Sequence, residues 1–406
     1  MTDRRAVSIA FLLTLAPCFA QADPRQKPEV FPLTKGQRIV FVGDSITHQG
    51  HWVSALELLL MTTRPELELK FVNAGVGGDK VVHGLARLQD EVVAMKPDVV
   101  TVLFGMNDGG YLAEDARLLQ TFEKDLDGLV ARVRKETAAR VVVLGPTFYD
   151  DASSDPKKKR PFYNDVLLRF QAACERVAQA HKSVFCGLND PMRRMTEELR
   201  KKDPKATLSA DAVHPETAGG YTIADAMARE LWQDPGPVEL LVGPAADGGN
   251  DHTVRVPRIV FPIPPEAKAV AEIGKLEERY NRFTLKAVGV GTGKLQVLVD
   301  GKKIGAWTAS ELAAGVRVDA LSDAPWRSRA QELWTLAEQN RKFISKELRG
   351  KVATIKSIKD DKQRAEAYSK IHAQLAPAWA KVKESEVRMT GLCAPFDVKI
   401  RIEPAE

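Results

Sequence analysis

Arg38-Ile-Val-Phe-Val-Gly43 runs straight into Asp44-Ser45-Ile46-Thr47. Consecutive apolar residues without polar alternation read as a strand buried on both faces, and a glycine ends it. Working outward, four further runs have the same character, at residues 69–73, 98–105, 140–146 and 183–187. Each is short, rich in β-branched types, and ends in Gly, Asn or Pro. Helical stretches lie between and after them: Val53-Ser-Ala-Leu-Glu-Leu-Leu-Leu-Met61 and residues 113–134, 163–181 and 217–232. Strand–helix alternation of this kind predicts an α/β fold, a parallel five-stranded sheet with helices on both faces. Ligands of such sheets sit beyond the carboxyl ends of the strands, so the loops there are where chemistry is expected.

Those loops are unusual. Gly43-Asp44-Ser45 follows the first strand, Asn73-Ala-Gly75-Val-Gly77-Gly78-Asp79 the second, and Gly105-Met-Asn107-Asp108 the third; Asp211-Ala-Val-His214-Pro215 precedes the last helix. Ester hydrolysis needs a serine nucleophile, a histidine to take its proton, and a carboxylate to fix the histidine tautomer. It also needs donors for the oxyanion that develops. Ser45 stands at a strand end. Asp211 lies three residues before His214, so one turn supplies both. Gly78 presents a backbone N–H without a side chain in the way. Asn107 offers a side-chain N–H, and the Ser45 N–H is a third donor. Taken singly, each segment reads as a turn or a helix cap; the four in this order carry the argument. A phosphate loop is disfavoured, because residues 75–78 lack GxGxxG spacing and no Walker lysine–threonine pair follows.

With these blocks in view, the sequence resembles the SGNH hydrolases, the GDSL esterase/lipase family. Ser45, Gly78, Asn107 and His214 match the four family blocks in chain order, over roughly residues 37–233. The first block reads Gly-Asp-Ser-Ile-Thr rather than ending in leucine. There is no GxSxG elbow, so the α/β-hydrolase fold is not supported. The resemblance implies a flavodoxin-like three-layer sandwich, the SGNH hydrolase fold, and serine ester hydrolysis without a cofactor. It implies Ser45 as nucleophile, His214 as general base then acid, and Asp211 as its orienting carboxylate. The implied oxyanion donors are Ser45, Gly78 and Asn107.

Further candidates surround these. His48, Asp79 and Asp108 are candidates for the substrate pocket. Asp44 and Asp108 also fit a role in fixing loops through backbone N–H groups, and Asp79 fits a helix cap. His51 lies nearby without a carboxylate at comparable spacing, and His83 is expected on the surface. Lys157-Lys-Lys-Arg160 reads as a solvated loop.

The chain is longer than one such domain. Residues 1–22 follow the charged, apolar, small-residue order of a signal peptide, with Ala20-Gln-Ala22 as the cleavage site. The apolar run is shorter than the about 20 residues of a membrane span, and no later segment is apolar enough to cross a bilayer. Leu15-Ala-Pro-Cys18 fits a lipoprotein box poorly. Export is therefore expected, with an SGNH hydrolase domain at residues 23–235 and a C-terminal α+β domain of unassigned role at residues 236–406. That second part is expected to hold a small sheet around the Asp300-Gly301 hairpin turn, a long helical hairpin (residues 326–349 and 360–387), and a closing strand at residues 396–402. Trp307, Trp326, Trp334 and Trp379 are expected to pack in cores or interfaces; stacking on sugars is the alternative.

Charge and cysteines narrow the function classes. A balance of 59 basic against 54 acidic residues gives +5, with no concentrated basic face, so a nucleic-acid partner is not expected. Cys174, Cys186 and Cys393 lie in the exported part; three allow one disulfide and one free thiol, or three buried thiols, and buried thiols are expected. No CxxC pair or Cys/His cluster has zinc spacing, so no structural metal is expected. The resulting expectation is an exported serine esterase with an open, lid-less site, acting on small-molecule or polysaccharide esters with short acyl (O-acetyl) groups. A lysophospholipase or thioesterase is the alternative among enzymes, and a non-catalytic SGNH-fold binding protein is the alternative outside them. Nothing in the sequence indicates an oligomeric state.

Overall fold

The structure is a computed structural model that describes residues 30–405, except 154–155, 157–158, 244–249, 321–322 and 359. The expected signal peptide, Cys18, Lys157 and Lys158 lie outside the described residues.

Five strands, β1 (Arg38–Gly43), β2 (Lys70–Gly75), β3 (Val99–Leu103), β4 (Arg140–Leu144) and β5 (Val184–Cys186), form one parallel sheet in the order β2-β1-β3-β4-β5. This is the flavodoxin-like order, in which the chain reverses direction across the sheet beside β1. All five residues of β3 and the inner residues of β1 and β4 are buried, as their near-continuous apolar runs require. The His51–Thr63 and Thr217–Leu231 helices pack together, and so do the Ala116–Glu136 and Tyr163–Ala180 helices. Register positions the chemistry: Gly43 pairs with both Gly75 and Leu103, so the loops after β1, β2 and β3 leave the sheet at one level.

The second half contains β6 (Val238–Val242), β7 (Asp251–Val256), β8 (Phe283–Ala287), β9 (Lys294–Val299), β10 (Lys302–Thr308), β11 (Val316–Arg317) and β12 (Phe396–Pro404). They make two sheets rather than the one expected: β10-β9-β12-β7, and β11-β8-β6. The short β6, β7 and β11 carry weak sequence signals and are strands because partners distant in the chain pair with them. The Asp300-Gly301 turn joins β9 and β10 with both residues at positive φ (49° and 79°), as a tight hairpin requires.

The Pro325–Phe343 helix continues through a π-helical turn, Ile344–Arg349, into the Gly350–Ile355 helix; the Asp361–Cys393 helix then returns antiparallel to it. The hairpin lies against the His51–Thr63 helix. The hydrophobic core runs without a break from the parallel sheet to the two later sheets. A second cluster joins Val76, in the loop after β2, to Leu348, Val352, Ile371 and Leu375 of the hairpin. The site is therefore not lid-less on every side: the hairpin covers one flank of the β2 loop. Trp326 is buried, stacks on Phe283 and donates to Val318 O, whereas Trp307, Trp334 and Trp379 are half-buried. Cys174, Cys186 and Cys393 are free, buried thiols. Among the described residues, no helix is long and apolar enough to cross a membrane.

Candidate active site

Ser45 is the first residue of the Ser45–Gln49 helix, whose N-cap Asp44 accepts from Ile46 N at 2.9 Å. The Ser45 N–H, in the first turn, has no intrahelical acceptor. Gly43 is required just before it: a Cβ there would lie 2.2 Å from Thr47 Oγ1 and 2.7 Å from Leu103 O.

His214 reaches Ser45 from the loop before the Thr217–Leu231 helix. Its Nε2 is 2.8 Å from Ser45 Oγ, and its Nδ1 is 2.6 Å from Asp211 Oδ2. The other Asp211 oxygen accepts from Val213 N (3.0 Å) and His214 N (2.8 Å). Burial alone would raise the Asp211 carboxyl, but the His214 contact and these backbone donors outweigh it and hold it below the usual carboxylate range. Between the two residues, Ala212 sits in the left-handed region at φ 73°, a conformation costly for a residue with a Cβ. It is fixed there from both sides: its N–H donates to Ser209 O and its carbonyl accepts from Asp150 N, each at 2.9 Å. Asp150 in turn is buried and gripped by Arg200 through two bonds of 2.7 and 2.8 Å. This Asp150–Arg200 support had no local signal in the sequence, since 50 residues separate the partners.

The other candidate donors lie in the loops after β2 and β3. Gly78 adopts φ 73°, and its N–H is committed to no acceptor among the described residues. Asn107 Nδ2 donates to Asp79 O at 3.1 Å and stands 3.4 Å from Asp44 Oδ2; Tyr111 OH donates to Asn107 Oδ1 at 3.3 Å. Tyr111, which sequence reasoning missed, thereby fixes the way the amide faces, from a positive φ of its own (58°).

The three pocket candidates bond to the loops around Ser45, Gly78 and Asn107. Asp108 is buried and accepts from Val81 N (2.9 Å) and Gly105 N (3.0 Å), tying the β2 and β3 loops together. Asp79 is buried and bonded to Arg87 at 2.8 Å. His48 Nδ1 accepts from Gly77 N (3.1 Å), and Nε2 donates to Ser345 O (2.9 Å), so the ring is the neutral Nε2–H tautomer with both nitrogens engaged. Burial, helped by Arg349, lowers its pKa from the ordinary histidine value. Both aspartates and His48 are thus loop supports. Three carboxylates share this space. Burial, opposed by the Ile46 N–H bond and aided by Asp108 and Asp79, pushes Asp44 up to about 8. Burial likewise pushes Asp108 up to about 6, and raises Asp79 against the opposing charge of Arg87. His51 contacts Thr217 Oγ1 at 3.3 Å, and burial with Arg341 nearby pulls it down to about 4. His83 is half exposed and accepts from Lys80 N at 3.0 Å. Among the described residues, no three His, Cys, Asp or Glu gather as a metal site.

Chemically, the arrangement is a hydroxyl in line with an imidazole and a carboxylate. Known proteins agree with the class of chemistry. The model of the GDSL-like lipase/acylhydrolase family matches residues 41–221. An acetylxylan esterase of Geobacillus stearothermophilus is 27% identical over 217 residues, 48% of this chain and 94% of that protein. Esterase TesA of Pseudomonas aeruginosa is 34% identical over 116 residues, 27% of this chain and 54% of TesA. In fold, the chain is similar to a gut microbial diltiazem-metabolizing enzyme, with a TM-score of 0.72 at 21% identity over 93% of this chain and 99% of that one. The last likeness extends through the second half. Residues 41–221 thus match the GDSL-like lipase/acylhydrolase family, which the SGNH blocks resemble, and with these relatives they mark the chain as a carboxylic ester hydrolase.

Proposed function

We propose that the protein is an exported serine esterase that removes short acyl groups, O-acetyl above all, from carbohydrates through an acyl-enzyme. The observation that carries this reading is the relay of 2.8 Å from Ser45 Oγ to His214 and 2.6 Å from His214 to Asp211. Ser45 Oγ attacks the ester carbonyl and its proton passes to His214 Nε2. Asp211 holds Nδ1–H, which leaves Nε2 free to accept. The oxyanion is met by the N–H groups of Ser45 and Gly78 and by the Asn107 amide, whose 3.4 Å contact to Asp44 is long enough for a developing charge to displace. His214 then protonates the departing alcohol, leaving the acyl group on Ser45. Water attacks that ester with its proton taken by His214, and collapse releases the carboxylic acid and restores Ser45.

Support for a carbohydrate alcohol comes from the acetylxylan esterase relative and from the openness of the relay: the Asp211 side chain is 58% exposed, so a bulky polar alcohol has room at its edge. Support for export is the residue order at 1–22. The test is labelling by an organophosphate beside a chain-length series of p-nitrophenyl esters and a panel of acetylated glycans. Wild type is expected to label and to prefer acetate, and Ser45→Ala to do neither. An unlabelled, inactive wild type overturns the serine mechanism; strong preference for long acyl chains overturns the substrate class in favour of a lysophospholipase or thioesterase.

A further inference from the structure

The β2 loop that carries Gly78 is a poor scaffold by itself. Gly75-Val76-Gly77-Gly78 has three glycines in four residues, and glycine loses more freedom on ordering than any other residue. The catalytic half anchors its root: Arg87 donates to Ala74 O at 2.6 Å and to Gly43 O at 3.0 Å. The tip is held from about 270 residues away in the chain. Arg349, at the end of the π-helical turn, donates to Gly75 O at 2.7 Å; it is buried and ion-paired with Glu91. Ser345 O orients His48, which accepts from Gly77 N. Lys356 Nζ donates to Gly77 O at 2.8 Å. Val76 is packed among Leu348, Val352, Ile371 and Leu375.

The Lys356 contact has a specific geometric consequence. Gly77 C=O and Gly78 N–H belong to one planar trans peptide unit and point in opposite directions. An ammonium fixed on that oxygen therefore sets the direction of the Gly78 N–H, and it polarises the same unit toward donation. Both peptide planes flanking Gly77 are thus held by, or through, residues of the Ile344–Arg349 turn and the chain just after it.

We infer that the C-terminal helical hairpin is a splint for the oxyanion loop, and that Lys356 is a positioning residue for the Gly78 N–H. This inference rests on the serine-esterase reading above. It gives the second half a part in the reaction: the Val76–Asp79 turn, closed by Asp79 N on Val76 O at 3.2 Å, brings Gly78 into place, and Lys356 fixes the plane that carries its donor.

The experiment compares the full chain with Lys356→Met and Lys356→Arg, using p-nitrophenyl acetate kinetics, the rate of organophosphate labelling of Ser45, and the thermal midpoint. Removing an oxyanion donor outright costs about 10²–10³ in turnover, and misdirecting one costs less. Lys356→Met is expected to lower kcat about tenfold with KM changed less than about twofold, to slow labelling in parallel, and to leave the midpoint in place. Lys356→Arg, which keeps a cationic donor, is expected to recover most of the loss. Unchanged kcat in Lys356→Met overturns the inference. So does a raised KM at constant kcat, which makes Lys356 a substrate contact, or an arginine variant as impaired as the methionine one. Should the methionine variant fail to fold, Lys356→Gln, a neutral donor of similar length, is read by the same criteria. A wild type that neither hydrolyses nor labels sinks the esterase reading instead, so the two failures are distinguishable.

Discussion

Ala212 shows how much support the Asp211–His214 turn needs. A residue with a Cβ held at φ 73° costs of the order of 1–2 kcal/mol, and two backbone hydrogen bonds and the buried Asp150–Arg200 pair oppose its relaxation. The gain is that Asp211 Oδ2 and His214 Nδ1 meet at 2.6 Å within one turn. If Asp211 fixes the imidazole tautomer, Asp211→Asn will lower kcat about 10³–10⁴-fold with KM little changed, because an amide that donates to Nδ1 turns the ring to the wrong tautomer. Steady-state kinetics on p-nitrophenyl acetate checks this. A loss below about tenfold means that the carboxylate, which is largely exposed, contributes little to orienting His214. Residues of this kind were legible in the sequence because three positions separate Asp211 from His214. His48 was legible only as a neighbour of Ser45; its acceptor and donor roles toward Gly77 and Ser345 needed a partner 297 positions away.

Among the elements, strands carried the clearest signals and helix faces the least. The five parallel strands fall within a residue or two of the apolar runs that announced them, because a strand buried on both faces reads as a near-continuous apolar run. What a helix leans against is not written in its own residues. The His51–Thr63 helix carries Glu57, which lines a small cavity with Glu386 of the Asp361–Cys393 helix, Asn340 and Arg341. Burial, with Glu386 nearby, pushes the Glu57 carboxyl up to about 8 from 4.5. The folded state therefore holds this proton more tightly than the unfolded chain, and the stability it supplies is full below about 4.5 and lost as pH rises through about 8. Glu57→Gln removes that loss. Its thermal midpoint, relative to wild type, is expected to be higher by about 2–4 °C at pH 9 and unchanged or lower at pH 4.5. A difference that does not vary between those pH values contradicts a tightly held proton.

At the scale of the molecule, the two halves share one core and a buried ionic bridge. Arg87 and Arg349 both contact Glu91, one arginine from each half, with all three side chains buried. Removing a partner from such a group is strongly destabilising, because it leaves a charge buried without its counterion. The halves are therefore expected to unfold together. In urea, loss of p-nitrophenyl acetate hydrolysis, the far-UV signal of the hairpin, and the fluorescence of the tryptophans, two in the first 235 residues and four beyond, should trace one transition. Activity lost well before the fluorescence of the second half changes identifies two independent units instead.

The sequence by itself determined the parallel sheet, the loops that carry Ser45, Gly78, Asn107 and His214, the Asp211–His214 spacing, and the family those blocks resemble. These are properties of short stretches: apolar runs, glycines at strand ends, and polar residues a few positions apart, whose physical meaning is local. The tertiary structure alone decided that three carboxylates, Asp44, Asp79 and Asp108, are buried around Asn107. It also split the later strands into two sheets and laid the hairpin against the loop after β2. Those outcomes depend on contacts between residues far apart in the chain, where loop closure and burial set the energy and no pattern of neighbours records the partner. Lys356 illustrates the difference: in sequence it is one lysine in a charged helical region, and in the fold its Nζ lies 2.8 Å from Gly77 O.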